Sequence, residues 1–148
     1  MSREAVRLPL PDDDASAALA RATVAALPAG ALLVLTGPLG AGKTTFVRHL
    51  ARALGSPAEV TSPTYALVHE YPTPAGTLVH VDAYRLRGAA ALRALGLDEQ
   101  RERARLTVVE WGEALLADEP EAYHLALDRA GDPDVALHGA TWRRSPER

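Results

Sequence analysis

The sequence contains no cysteine, one methionine, one phenylalanine and one lysine among its 148 residues. Without cysteine there is no disulfide framework, no thiolate metal site and no cysteine nucleophile. No window approaches eighteen consecutive apolar residues, so no helix that spans a membrane is expected. A surplus of positive charge is also missing. Sixteen basic residues face nineteen acidic ones, for a net charge of −3. Gripping nucleic acid unaided rests on basic groups that neutralise phosphates. The charge therefore argues against direct binding, and leaves open a nucleic-acid process in which a partner holds the RNA or DNA. The opening "MSREAVRLPLPDDD" turns acidic where a signal peptide would carry its apolar core, so a cytoplasmic location is expected.

What is present is ordinary globular material. Hydrophobic residues make up 47% and charged residues 24% of the chain, enough to bury a core in one domain. No repeat and no Ser/Gly linker divides it. We expect one domain over residues 1–139, with 140–148 a polar tail that frays. "AVRLPL" (5–10) reads as a short strand whose proline places it at an edge. Residues 12–27 read as an alanine-rich helix with acidic residues at its start, stopped by "PAG" (28–30). "ALLVLT" (31–36) is the apolar run of a strand buried on both faces. A glycine-rich turn then leads into a helix over 43–55, with Gly55 as its stop.

Residues 61–71 and 77–86 are β-rich and are separated by the turn signal "PTPAG". Residues 89–96 read as a short helix, and "RLTVVEW" (105–111) as another buried strand. A hairpin is expected over 123–139, with "AGDPD" as its turn. Strands alternating with helices, plus two hairpins, predict an α/β fold of the P-loop NTPase type. Its central sheet is mixed, parallel with antiparallel hairpins, and flanked by helices.

The single lysine, Lys43, sits in "GPLGAGKT" (37–44), which matches G-x-x-x-x-G-K-[ST]. The pattern follows from the chemistry of phosphate. Gly37 and Gly42 bracket a loop that takes conformations closed to side chains and turns backbone N–H groups toward phosphate oxygens. The helix that follows adds the positive end of its dipole. Lys43 reaches the β- and γ-phosphates, and the Thr44 hydroxyl ligates Mg²⁺. The other fifteen basic residues are arginines, yet this position keeps a compact ammonium where a planar guanidinium would clash. Folds of this kind usually supply a carboxylate at the end of a buried strand beside the loop. Glu110 and Asp82 are rival candidates. On residue type and position alone, His80 reads as a packed strand residue, Trp111 as a core cap and Arg85 as a surface ion pair.

Taken together, "GPLGAGKTTF", "SPTYALVHEY", "HVDAYRL", "LGLDE" and "VVEWGE" resemble the TsaE (YjeE) family from about residue 8 to residue 131. These are small bacterial P-loop ATPases required to make threonylcarbamoyladenosine in tRNA. The phosphate loop alone is generic; the "SPTY" and "HVDAYRL" segments make the match specific. The resemblance implies ATP and Mg²⁺ as cofactors. Gly37 and the run Leu39, Gly40, Ala41, Gly42, Lys43, Thr44 and Thr45 would then hold the phosphates. It implies Thr44 and Glu110 as metal ligands, with Asp82 near the metal and the attacking water, so that Lys43, Asp82 and Glu110 carry catalysis. Thr64, in "TSPTY", would sense the γ-phosphate, and Trp111 follows the metal-binding glutamate. Asp13 and Gly131 match positions that flank the adenine. Pro38, Ser16 and Ala83 depart from the family's usual residues at points that do not touch the phosphate chemistry. The implied partners are TsaB and TsaD, which hold the tRNA and transfer the carbamoyl group while ATP hydrolysis resets their complex.

Two other classes compete. A small-molecule kinase would need an acceptor pocket and a lid, for which residues 86–105 are the sole candidate and a short one. A GTPase usually reads guanine through N-K-x-D, and no second lysine exists to build that motif.

Overall fold

In the computed structural model the continuous apolar run Ala31–Thr36 becomes a strand, β2, buried along almost its whole length. The structure describes residues 6–10, 13–37, 43–56, 68–82, 101–110, 116, 119, 121–129 and 138–144. Before β2 come strand β1 (Val6–Leu10) and helix α1 (Asp13–Ala26). After it come α2 (Lys43–Ala53), β3 (Val68–Tyr71), β4 (Thr77–Asp82), β5 (Ala104–Glu110), β6 (Tyr123–Arg129) and β7 (His138–Arg144).

The seven strands form one sheet in the order β1-β7-β6-β2-β5-β4-β3. Its centre is parallel, with β2 between β5 and β6 and β4 beyond β5. Antiparallel pairs close both sides, β3 on β4 at one edge and β6–β7–β1 at the other. This is the mixed α/β sheet expected from the sequence. β1 lies at the edge, where Pro9 costs the ladder least.

Alternation along the strands divides the core in two. Leu33, Leu35, Leu78, Leu106, Val108 and Leu125 face one side, with Phe46, Val47 and Leu50 of α2 and Leu19 and Ala20 of α1. Leu32, Val34, Val79, Val81 and Val109 face the other. Helix α2 ends in a Schellman motif. Ser56 N–H donates to the Ala51 carbonyl and Gly55 N–H to that of Arg52, with Gly55 at φ 89°. The "PTPAG" turn closes through the Gly76 N–H on the Thr73 carbonyl, so β3 and β4 form the expected hairpin.

Two expectations change. Residues 140–144, expected to fray, all pair with β6, and 140–142 also pair with β1: Ala140 with Leu8 and Leu127, and Trp142 with Val6 and Leu125. The partner strand β1 comes from the opposite end of the chain, so local polarity gave no sign of this pairing. The hairpin's second strand accordingly lies at 138–144 rather than ending at 139, with its connection outside the described residues. The short helix expected over 89–96, the segment 61–67, and residues 83–86 also lie outside them.

Candidate active site

The carboxyl ends of the parallel strands are where an open α/β sheet gathers ligands. β2 runs into Gly37, whose φ of 144° is a conformation that side chains rarely adopt. α2 begins at Lys43, so the first-turn N–H groups and the positive dipole end lie on this side of the sheet. Lys43 is buried, and its ammonium donates to the Gly37 carbonyl at 2.5 Å. The lysine thus reaches back to the residue that follows β2.

One residue into the helix, the Thr44 hydroxyl meets the Glu110 carboxylate, 3.2 Å from each oxygen. Glu110 is 4% exposed at the end of β5. A carboxylate so far from water is costly unless it is hydrogen-bonded. Thr44 supplies one bond, and His80 Nε2 on β4 donates to Oε2. Asp82 stands opposite Glu110 in the β4–β5 register and is half-buried. By strand alternation Asp82, His80 and Glu110 share the face that carries α2. On the other face, Thr36 at the end of β2 shares a 2.7 Å hydrogen bond with His124 Nε2 of β6.

The structure therefore brings together Gly37, Lys43, Thr44, Glu110 and, on the neighbouring strand, Asp82. Thr45 is exposed on α2. Asp13 is the first residue of α1, distant in sequence from this cluster. Leu39, Gly40, Ala41, Gly42, Thr64, Trp111 and Gly131 lie outside the described residues, as does Arg85. So does most of the candidate lid; residues 101–103 of it are helical and 104–105 open β5.

His80 is the residue that sequence reasoning missed. Period-two spacing in "HVD" puts it on the same face as Asp82, which was a usable signal. Its bond to Glu110 depends on the β4–β5 register, which shifts between Thr77 and Leu78 and could not be read locally.

Chemically, a hydroxyl and a carboxylate side by side are hard oxygen donors. They suit Mg²⁺, which takes one or two protein oxygens and completes its shell from water and phosphate. The neighbouring ammonium and the helix N-terminus suit the phosphate. No helix among the described residues is long and apolar enough to cross a membrane.

Residues 10–134 match the sequence model of a family described as "Threonylcarbamoyl adenosine biosynthesis protein TsaE". The tRNA threonylcarbamoyladenosine biosynthesis protein TsaE of Bacillus subtilis is 37% identical over 118 residues, covering 79% of this chain and 73% of that one. The protein of the same name from Streptomyces coelicolor is 42% identical over 116 residues, covering 76% and 78%. The crystal structure of Bacillus subtilis YdiB superposes with a TM-score of 0.77 at 28% identity, covering 97% of this chain and 87% of that one.

Proposed function

The chain belongs to the TsaE family of threonylcarbamoyl adenosine biosynthesis proteins, and from that premise we propose that it is an ATP-binding, slowly ATP-hydrolysing subunit. It would reset or activate a TsaB–TsaD-type complex that modifies tRNA. The observation that carries this reading is the Thr44 hydroxyl on the buried Glu110 carboxylate, one residue beyond a lysine bonded to the Gly37 carbonyl.

In this reading Lys43 exchanges its Gly37 carbonyl for the β- and γ-phosphate oxygens, and backbone N–H groups at the start of α2 hold the rest. Thr44 and Glu110 would hold Mg²⁺, which when bound would offset the charge that develops on the transferring phosphoryl group. Asp82, in register with Glu110 on β4, would accept a hydrogen bond from the attacking water and orient it. Burial of Lys43 and Glu110 keeps their fields unscreened, which is where such groups stabilise a transition state most. A net charge of −3 agrees with tRNA held by the partners, so that this chain meets it only indirectly.

The test is steady-state ATPase of the purified chain with and without a saturating TsaB–TsaD complex. A slow basal rate raised at least several-fold is expected, because partner contacts can order loops around the γ-phosphate. A rate indifferent to the complex defeats the switch role. Phosphoryl transfer to a nucleoside or sugar in the same assay would favour a kinase.

A further inference from the structure

Glu110 is held from two sides, and the two contacts are not equivalent. The Thr44 hydroxyl has one proton and lies 3.2 Å from both carboxylate oxygens, so it does not choose between them. His80 Nε2 reaches Oε2 only. The imidazole is completely buried, on a central strand of the sheet. Its other nitrogen, Nδ1, has no hydrogen-bond partner. A proton on Nδ1 would be a buried donor with nothing to receive it, whereas a bare Nδ1 is the cheaper orphan. The proton therefore sits on Nε2 and is directed at Oε2. That leaves Oε1, bonded among the described residues by the shared hydroxyl alone, as the carboxylate oxygen with spare capacity.

We propose that His80 is a positioning residue. Its Nε2–H pins Oε2 of Glu110 and so leaves Oε1, beside the Thr44 hydroxyl, as the oxygen that a divalent cation would take. The proposal rests on the nucleotide-site reading above. It makes His80 the buried partner that orients a metal ligand without touching the metal. Losing such a partner typically costs about tenfold to a hundredfold in metal affinity. The alternative is that His80 only satisfies a buried carboxylate, in which case it affects stability and nothing else.

The experiment uses the full chain as wild type, H80L and H80Q. H80L fills the space without a donor, and the H80Q amide reaches the place of Nε2–H. Each protein is titrated with Mn²⁺ in the presence of a saturating non-hydrolysable ATP analogue, with bound metal read by electron paramagnetic resonance. Melting midpoints report folding, and analogue affinity is measured separately in EDTA. We expect H80L to lose at least about tenfold in Mn²⁺ affinity, H80Q to recover most of it, and analogue affinity in EDTA to stay unchanged. A folded H80L that binds Mn²⁺ like wild type overturns the proposal, even if its melting point falls. Where H80L does not fold, H80Q is compared with wild type, and the His80 tautomer is read from long-range ¹H–¹⁵N spectra of the wild-type protein. A proton on Nδ1 with none on Nε2 overturns the proposal; one on Nε2 with metal affinity kept in H80Q supports it. Wild-type protein that takes up no Mn²⁺ with the analogue would instead bring down the nucleotide-site reading, and this proposal with it.

Discussion

The two ends of β5 each carry a charged side chain pointed at a helix, and they do different things. At the start of the strand, Arg105 caps the carboxyl end of α1. One guanidinium nitrogen donates to the carbonyls of Val24 at 2.8 Å and Leu27 at 3.1 Å, and the other to Pro28 at 3.3 Å. α1 has no basic residue in its own last turn, so β5 supplies the cation that its dipole favours. The register shift at Thr77/Leu78 leaves Arg105 without a partner on β4, and a shift of this kind re-aims a side chain. Gly76 makes room for it: a Cβ there would lie 2.8 Å from the Arg105 Cβ.

At the other end, Glu110 faces the amino-terminal turn of α2. Among the described residues its partners there are a single threonine hydroxyl shared by two oxygens and one imidazole. A carboxylate can accept about four hydrogen bonds, so Glu110 keeps capacity to spare. Arg105 is spent on carbonyls that any helix end leaves open, and Glu110 is not. Charge whose bonds close on the fold builds the fold, and charge held in place with bonds unspent marks a site.

The comparison breaks first at Glu110. Replacing it with alanine should cut ATP turnover by roughly a thousandfold, about 4 kcal/mol of transition-state stabilisation, while nucleotide binding persists through the loop N–H groups. Steady-state ATPase with the TsaB–TsaD partners, paired with equilibrium nucleotide binding, checks both halves. Near-normal turnover would move the metal role to Asp82.

Lys43→Arg sharpens the same end of the molecule. Charge is conserved, so an account based on net charge expects rescue. The ammonium lies 2.5 Å from the Gly37 carbonyl. A guanidinium is broader and planar, and presents its donors in a fixed fork rather than at one point. Turnover should fall about a hundredfold, the same loss expected of Lys43→Ala. Arginine that keeps more than half of wild-type turnover would show that the lone lysine has no geometric reason to be there.

Arg105→Ala tests the other end and should do least. Losing the cap on α1 should cost on the order of 1–2 kcal/mol in chemical denaturation. Turnover per folded molecule should stay at the wild-type level. A turnover defect without a stability defect would erase the distinction between the two ends.

How much of this the sequence disclosed follows the range of the interactions. β2, α2 with its Gly55 stop and the β3–β4 turn rest on neighbours in the chain, and their patterns were legible within a few residues. The convergence of Lys43 and Thr44 was legible because a loop chemistry imposes it. The extension of β7 beyond 139 was not legible, since it pairs with β1 from the far end of the sequence and with the start of β6. Nor was the contact between His80 and Glu110, or the one between Arg105 and α1. Both hang on the register of two parallel strands, which is set by the whole sheet.

The most direct test of the central claim is calorimetric titration of the purified wild-type chain with Mg²⁺–ATP, run beside Lys43→Ala. The site described here predicts saturable binding of one nucleotide per chain, weakened at least about tenfold in the variant by loss of the charge on the phosphates. No saturable binding to wild type, or equal affinity in the two proteins, would contradict it.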